Sequence, residues 1–341
     1  MTTALSRILS RRAALRIAAQ GALLAAPFTR ALAQAGPTEV SISMSSSGLP
    51  FGGLRIAEHS GLFAKHGLKP RLIVSESGNA ATTALIARSV DFAGSGPSEA
   101  LTARARGQEI IVVGNLYRGL SGSLVLATAV IKKLGVAADA PVPDRLKALD
   151  GLTIATPSAT SAYTGPVKNG AAQVGARPKL VYMAQPAMAA ALETGAIQGM
   201  IGAAPFSVAP VVKGSGAVWI SGPRAQFPAE FMPSSSACLQ TSEAYAKANP
   251  EVVRKLQALL ADLALFIKEK PGDAKQALGK AYSTFDTATL DSVFAEDSEN
   301  WSRPILTEAD MEQERKILQQ TQSSVPGLAD IDFKRFLRMA I

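Results

Sequence analysis

The sequence predicts an α/β protein built as two lobes that face each other across a cleft. Three observations lead there. From Glu39 onward, short apolar runs alternate with Ala-rich helical stretches, the pattern of layered α/β structure with largely parallel sheets. The flexible run Gly119-Leu120-Ser121-Gly122-Ser123 interrupts this alternation, which then restarts. Finally, residues 85–94 (LIARSVDFAG) are echoed by residues 192–202 (LETGAIQGMIG), and both run on to a proline that opens the next helix, Pro97 and Pro205.

Composition fits this picture. Of 341 residues, 47% are hydrophobic and 18% charged, which excludes a disordered chain and supplies core for about two domains or lobes. The formal charge of +8 at first suggests a nucleic-acid or membrane partner. Its position argues otherwise. Arg7, Arg11, Arg12, Arg16 and Arg30 fall in the first 35 residues, which hold no Lys, Asp or Glu, so removing five of the eight charges leaves +3 for the rest. Arg11-Arg12 is followed by an apolar run over 17–28 and then Ala31-Leu32-Ala33-Gln34-Ala35, the basic, apolar and small-residue order of a secretory signal. The adjacent arginines are similar to a twin-arginine signal. The apolar run is well short of the ~20 residues of a membrane-spanning helix. Residues 1–35 are therefore expected to be removed, after Ala35 or Ala33, leaving a protein in an exported, periplasmic compartment.

Taken in order, the first strand is expected at 40–45, followed by a helix over 50–63 broken by Gly61 and closed by Gly67. Strands are expected around 72–74, 90–93 and 110–116, with helices at 79–88 and 97–106 between them. After the break at 119–123 come strands at 124–127, 152–155, 180–183, 197–201 and 218–220. Helices over 162–174 and 186–194, and one after Pro205, separate them. The irregular stretch from Ser221 through Pro233 reads as a return crossing. From Ser242 the chain reads as helical, and Val252, Val253, Leu256, Leu259, Leu260, Leu263 and Ile267 recur at helical spacing until Lys268-Glu269-Lys270-Pro271-Gly272 stops the helix. The expected lobes are 36–122 with 225–341, and 123–224.

Catalytic patterns fail on inspection. His59 and His66 have no Cys or acidic partner at metal-ligand spacing, and read as solvated surface residues. Gly94-Ser95-Gly96 follows a strand and precedes a helix, but Glu99 stands where a dinucleotide fingerprint needs its third glycine. The 119–123 run lacks the last glycine of a hydrolase elbow. The single Cys238 cannot form an internal disulfide and reads as a small buried apolar residue. No catalytic residue, metal or cofactor is expected.

One segment resembles a known family. Ala57-Glu58-His59-Ser60-Gly61-Leu62-Phe63-Ala64-Lys65-His66-Gly67-Leu68 is similar to the A-E-x-x-G-x-F-x-x-x-G-L segment of the nitrate/sulfonate/taurine-type substrate-binding proteins of ABC importers. Further matches are Ala84–Ala93 to A-L-x-x-x-x-V-D-F-A, Leu149–Ala155 to L-x-G-x-x-I-A, and Ala191-Leu192 through Pro205. Together they run in order from about residue 40 to 218. The resemblance implies a type II periplasmic-binding-protein (Venus flytrap) fold, in which two α/β lobes joined by two crossing hinge segments close on a small solute. It also implies a membrane permease and ATPase as partners, a monomeric receptor and no nucleic-acid partner. Two alternatives share the scaffold: a pyrimidine-precursor binding protein or enzyme of the thiamine pathway, and a receptor that presents ligand to a sensor. The Cys-rich motif of the fungal-type pyrimidine synthases has no counterpart in a chain with one cysteine.

Ligand groups should come from loops after strands, where backbone N–H groups and helix N-termini point into a cleft. In the first lobe these are Ser45, Ser46, Ser47 and Gly48, then Gly78, then Ser95, Gly96 and Ser98. Tyr117 and Arg118 end the fourth strand, where Arg118 could pair with a sulfonate or carboxylate or lie solvated. In the second lobe Thr156, Ser158, Thr160 and Ser161 form a matching cradle, with Gly202 and Pro205 at the echo position. Tyr163 and Phe206 could pack on a ligand body or in the core. Hydroxyls and glycines dominate these positions, so a neutral or singly anionic organic solute is expected.

Overall fold

The computed structural model describes residues 36–321 and 325–339. The signal-like segment lies outside them. Two five-stranded mixed sheets form the centres of two lobes, in the orders β2-β1-β3-β10-β4 and β7-β6-β8-β5-β9.

The first lobe opens with β1 (Thr38–Met44), whose last five residues are buried. A 3-10 turn (Leu49–Phe51) leads into α1 (Gly52–His59) and, across Gly61 at φ +81°, into α2 (Leu62–Lys65). That left-handed φ is why the expected helix breaks there. β2 (Leu68–Val74) pairs parallel with β1 over its full length. α3 (Gly78–Ile86), β3 (Phe92–Ser95), α4 (Pro97–Ala105) and β4 (Ile110–Arg118) follow.

The second sheet begins after the 119–121 crossing with β5 (Gly122–Ala127), followed by α5 (Thr128–Leu134) and α6 (Val142–Lys147). β6 (Thr153–Thr156), α7 (Thr164–Gln173), β7 (Lys179–Tyr182), α8 (Gln185–Glu193) and β8 (Gly199–Ala203) continue the alternation. α9 (Val208–Val212) and β9 (Gly216–Ser221) complete this lobe. β5 runs antiparallel to both β8 and β9.

The return crossing delivers β10 (Ser235–Ser242), antiparallel to β3 and β4 and inserted between them. This strand is a correction to the sequence reading, which placed no strand there and expected largely parallel sheets. Ser235 to Thr241 are all buried, and polar side chains among them bond across the sheet: Ser235 Oγ donates to Asn115 Oδ1 at 2.7 Å and Thr241 Oγ1 to the Asp91 carbonyl at 2.8 Å. Cys238 is buried in the same strand, as expected.

The chain ends in helices. α10 (Glu243–Ala248) precedes α11 (Pro250–Glu269), which buries the predicted apolar stripe against the first sheet. Each such side chain contributes about 1.5–3 kcal/mol on burial. α12 (Pro271–Ala281) packs on α1, α13 (Thr287–Trp301) lays Trp301 over the start of α1, and α14 (Glu308–Thr321) runs beside α4 and α7. α15 (Phe333–Phe336) returns to β4. His66 is not solvated as expected: it is 15% exposed, and its Nε2 lies 2.9 Å from Asp262 Oδ2 on α11, which also takes Lys65 Nζ at 2.6 Å. Among the described residues no helix is long and apolar enough to cross a membrane.

Candidate functional site

Contacts between the lobes surround a small cavity. The Leu49 N–H donates to the Ala204 carbonyl at 2.9 Å, the Thr160 hydroxyl donates to Asn79 Oδ1 at 3.2 Å, and Arg224 Nη2 lies 2.6 Å from Glu296 Oε1. Between the carboxyl ends of β1, β3, β6 and β7 they enclose this small cavity. Strand ends collect there because each strand is followed by a turn into a helix, so the last residues of the strand and the first amides of the helix share one rim. Three helices begin on the wall: Ser77, Gly96 and Tyr163 are the N-caps of α3, α4 and α7.

Six of the residues singled out from the sequence meet at this cavity: Ser45, Ser46, Gly78, Gly96, Ser161 and Tyr163. Tyr163 is 5% exposed, its hydroxyl is 2.8 Å from Ser121 Oγ, and burial holds its phenol well above the ordinary range. Ser158 and Thr160 stand just behind, bonded to each other at 3.3 Å, and Thr160 makes the bridge to Asn79. Gly48 lies where the lobes touch, within 3.2 Å of the Ala204 carbonyl if it carried a Cβ.

The others are held elsewhere. Ser95 bonds inside the first lobe to Thr82 and Gln240, and Ser98 donates to Glu314 Oε2 at 3.3 Å. Thr156 is fully buried and accepts from Thr164. The Tyr117 hydroxyl is spent on Asp297, with Asn300 donating to it at 3.2 Å, and Arg118 pairs with Asp310 at 2.7 Å. Gly202 makes room for Gln185, Phe206 packs on the second lobe's core, and Ser47 and Pro205 line a separate depression beside α12. A larger hollow between α13 and the second lobe is lined by none of the singled-out residues. The smaller one is the more enclosed, and the carboxyl ends of β1, β3, β6 and β7 gather on it.

Sequence reasoning missed Ser77, Gln185, Ser236 and above all Glu99, which all line the cavity. Glu99 is 4% exposed, and its Oε2 has no hydrogen-bond partner. Burial lifts its carboxyl to about 8; the N–H groups of Glu99 and Gly96 pull it down, and Glu314 pushes it further up. The carboxyl occupies the space that side chains at 78 and 96 would fill: a Cβ on Gly78 would stand 2.5 Å from Oε1, and one on Gly96 2.5 Å from Oε2. No Lys, Arg or His lines the cavity. Among the described residues no group of His, Cys, Asp and Glu could hold a metal.

A family model of the NMT1-like family matches residues 52–280, two thirds of the chain. The chain belongs to the NMT1-like family. Solved structures similar to this NMT1-like protein share its two-lobed fold. A Bordetella bronchiseptica RB50 protein aligns over 89% of this chain and 95% of its own, with 18% identity and a TM-score of 0.73. The alkanesulfonate-binding protein SsuA from Xanthomonas axonopodis pv. citri aligns over 90% and 100%, with 18% identity and a TM-score of 0.70. The periplasmic nitrate-binding protein NrtA from Synechocystis PCC 6803 aligns over 88% and 86%, at 14% identity and a TM-score of 0.63. At these identities the likeness establishes the periplasmic-binding-protein fold, as the sequence motifs led us to expect. No curated protein matches this NMT1-like chain in sequence.

Proposed function

We propose that this protein is the solute-binding receptor of an ABC importer, which captures a small organic solute between its lobes and hands it to a membrane permease. The observation that carries this reading is the enclosed cavity at the strand ends, bridged on either side by contacts between the lobes. Its lining is made of serine hydroxyls, helix N-caps, an amide and one carboxyl, groups that orient a ligand by hydrogen bonds. With no Lys, Arg or His in its lining, the cavity suits a solute of low charge. The nitrate- and sulfonate-binding proteins of the same fold support the role.

In this reading residues 1–35 direct export and are removed after Ala35 or Ala33. The first lobe comprises 36–122 and 225–341, the second 123–224, and the mature protein works as a monomer in the periplasm with a permease and its ATPase. Of the ligand-facing groups, Ser45, Ser46, Gly78, Gly96, Ser161 and Tyr163 belong to the binding wall. The site holds its solute and does not transform it. Mass spectrometry of small molecules released by denaturing the purified protein tests this: a stoichiometric, chemically unchanged solute is expected. Turnover of that solute by the refilled protein would overturn the receptor reading.

A further inference from the structure

The cavity's one acidic side chain, Glu99, leaves its Oε2 without a hydrogen-bond partner inside the protein. Glu99 is the third residue of α4, so its carboxyl lies near its own helix's first amides, which stabilise negative charge there. Three helix N-termini at the wall favour negative charge, and the Glu99 carboxyl is the acid that stands among them. Glu314 on α14, the neutral Tyr163 at the start of α7 and the neutral Cys238 on β10 are the other titratable groups whose fields reach it, and none is cationic. Glu314 accepts from the N–H groups of Ser234 and Ser235, at 2.5 and 3.4 Å, and from Ser98, whereas Glu99 Oε2 accepts from nothing. A buried polar atom without a partner costs about 1–3 kcal/mol, more when charged, and such a cost persists where a ligand removes it.

We propose that the solute presents a protonated nitrogen to Glu99, which binds it as a carboxylate and selects for it. This rests on the receptor reading above and narrows it to amines, amidines and zwitterions that carry such a nitrogen. In the empty cavity burial keeps Glu99 protonated near neutral pH. When the cation docks, the proton leaves to solvent and the pair is neutral overall. A nitrogen-free carboxylate or sulfonate would instead stand beside two buried acids without a single cation on the wall. Gly78 and Gly96 leave the carboxyl room to stay at the cavity surface.

The test is equilibrium dialysis of the ligand-stripped full chain against a defined equimolar mixture of small amines, amidines, amino acids, aminosulfonates, carboxylates, sulfonates and neutral amides, read by mass spectrometry. The retained solute should carry a protonated nitrogen, and Glu99→Gln should weaken its binding about 30-fold or more, the loss expected when one partner of a buried ion pair is neutralised. Calorimetry at pH 7 in phosphate and in Tris should show proton release for the wild type and none for Glu99→Gln, whose melting curve checks that it folds. Retention of a nitrogen-free anion, or equal binding by Glu99→Gln, overturns the inference and leaves the receptor reading standing. A chain that retains no solute counts against both.

Discussion

Arg224 leaves the second lobe and grips Glu296 on α13 of the first, with Nη2 and Nε at 2.6 and 3.0 Å from one carboxylate oxygen. Both side chains are substantially exposed, so the pair contributes little to folding but sits where the lobes meet. Arg224→Ala should therefore leave the unfolding free energy within about 1 kcal/mol of wild type. The ligand-free protein should populate a more open form, seen as a larger radius of gyration in X-ray scattering. High salt should mimic the substitution. An unchanged radius would remove the pair from closure.

Gly78→Ala tests the fit of the cavity. The new Cβ would lie 2.5 Å from Glu99 Oε1, so the carboxyl must swing into the space meant for the solute. Binding should fall roughly tenfold while stability changes by about 1 kcal/mol or less, since only the end of a side chain moves. Titration calorimetry beside urea unfolding separates the two effects.

Tyr117→Phe tests the opposite assignment. The hydroxyl is buried between Asp297 and Asn300 and reaches no cavity-lining position at the strand ends. Its loss leaves a buried carboxyl short of a donor, and stability should drop by about 1–3 kcal/mol with ligand affinity intact. A loss of affinity at unchanged stability would place Tyr117 in the binding wall after all.

Stability should also fall as the solution is made more alkaline. Burial raises Glu99 to about 8, and Glu314 and Asp297 each to about 7. Between the ordinary carboxylate range and these values the folded chain keeps protons that the unfolded chain has released, which favours folding at the acid end. Each group then costs up to ~1.4 kcal/mol per pH unit until its folded value is passed. In the opposite sense, Lys65 and His66 hold Asp262 below its usual value, a contribution lost only in strong acid. Urea unfolding of the empty protein from pH 5 to pH 9 should show a steady decline that flattens above about pH 8. Glu99→Gln should flatten part of it, and a rise over this range would contradict the burial of these acids.

Much of this fold could be read locally. The stripe on α11 follows from helical spacing alone, and the helix break at Gly61 from a single residue. β10 could not be read this way, because Ser235-Ser236-Ala237-Cys238 has no alternation and few residues that favour strands. Its burial depends on partners such as Asn115 and Asp91, more than a hundred residues away. The same distance explains the site residues that lie elsewhere. Ser98, Tyr117 and Arg118 are hydroxyl and guanidinium groups at strand ends, as a ligand would require, but Glu314, Asp297 and Asp310 on the C-terminal helices take them first. Glu99 entered the sequence reading only as a glycine that was missing. What makes it informative is the missing hydrogen-bond partner at Oε2, which a sequence cannot display.

The place of β10 also sets the order in which the molecule can be completed. It lies between β3 and β4, yet a ribosome delivers it after every strand of the second sheet. While the nascent chain grows, β1, β2 and β3 can pair, but β4 has no neighbour in its own sheet until residue 242 has emerged. The second sheet, spanning residues 122–221, has all its partners by then. The lobe that begins the protein is the last to close, and any chain cut before Ser235 carries β3 as a bare edge open to pairing with other molecules.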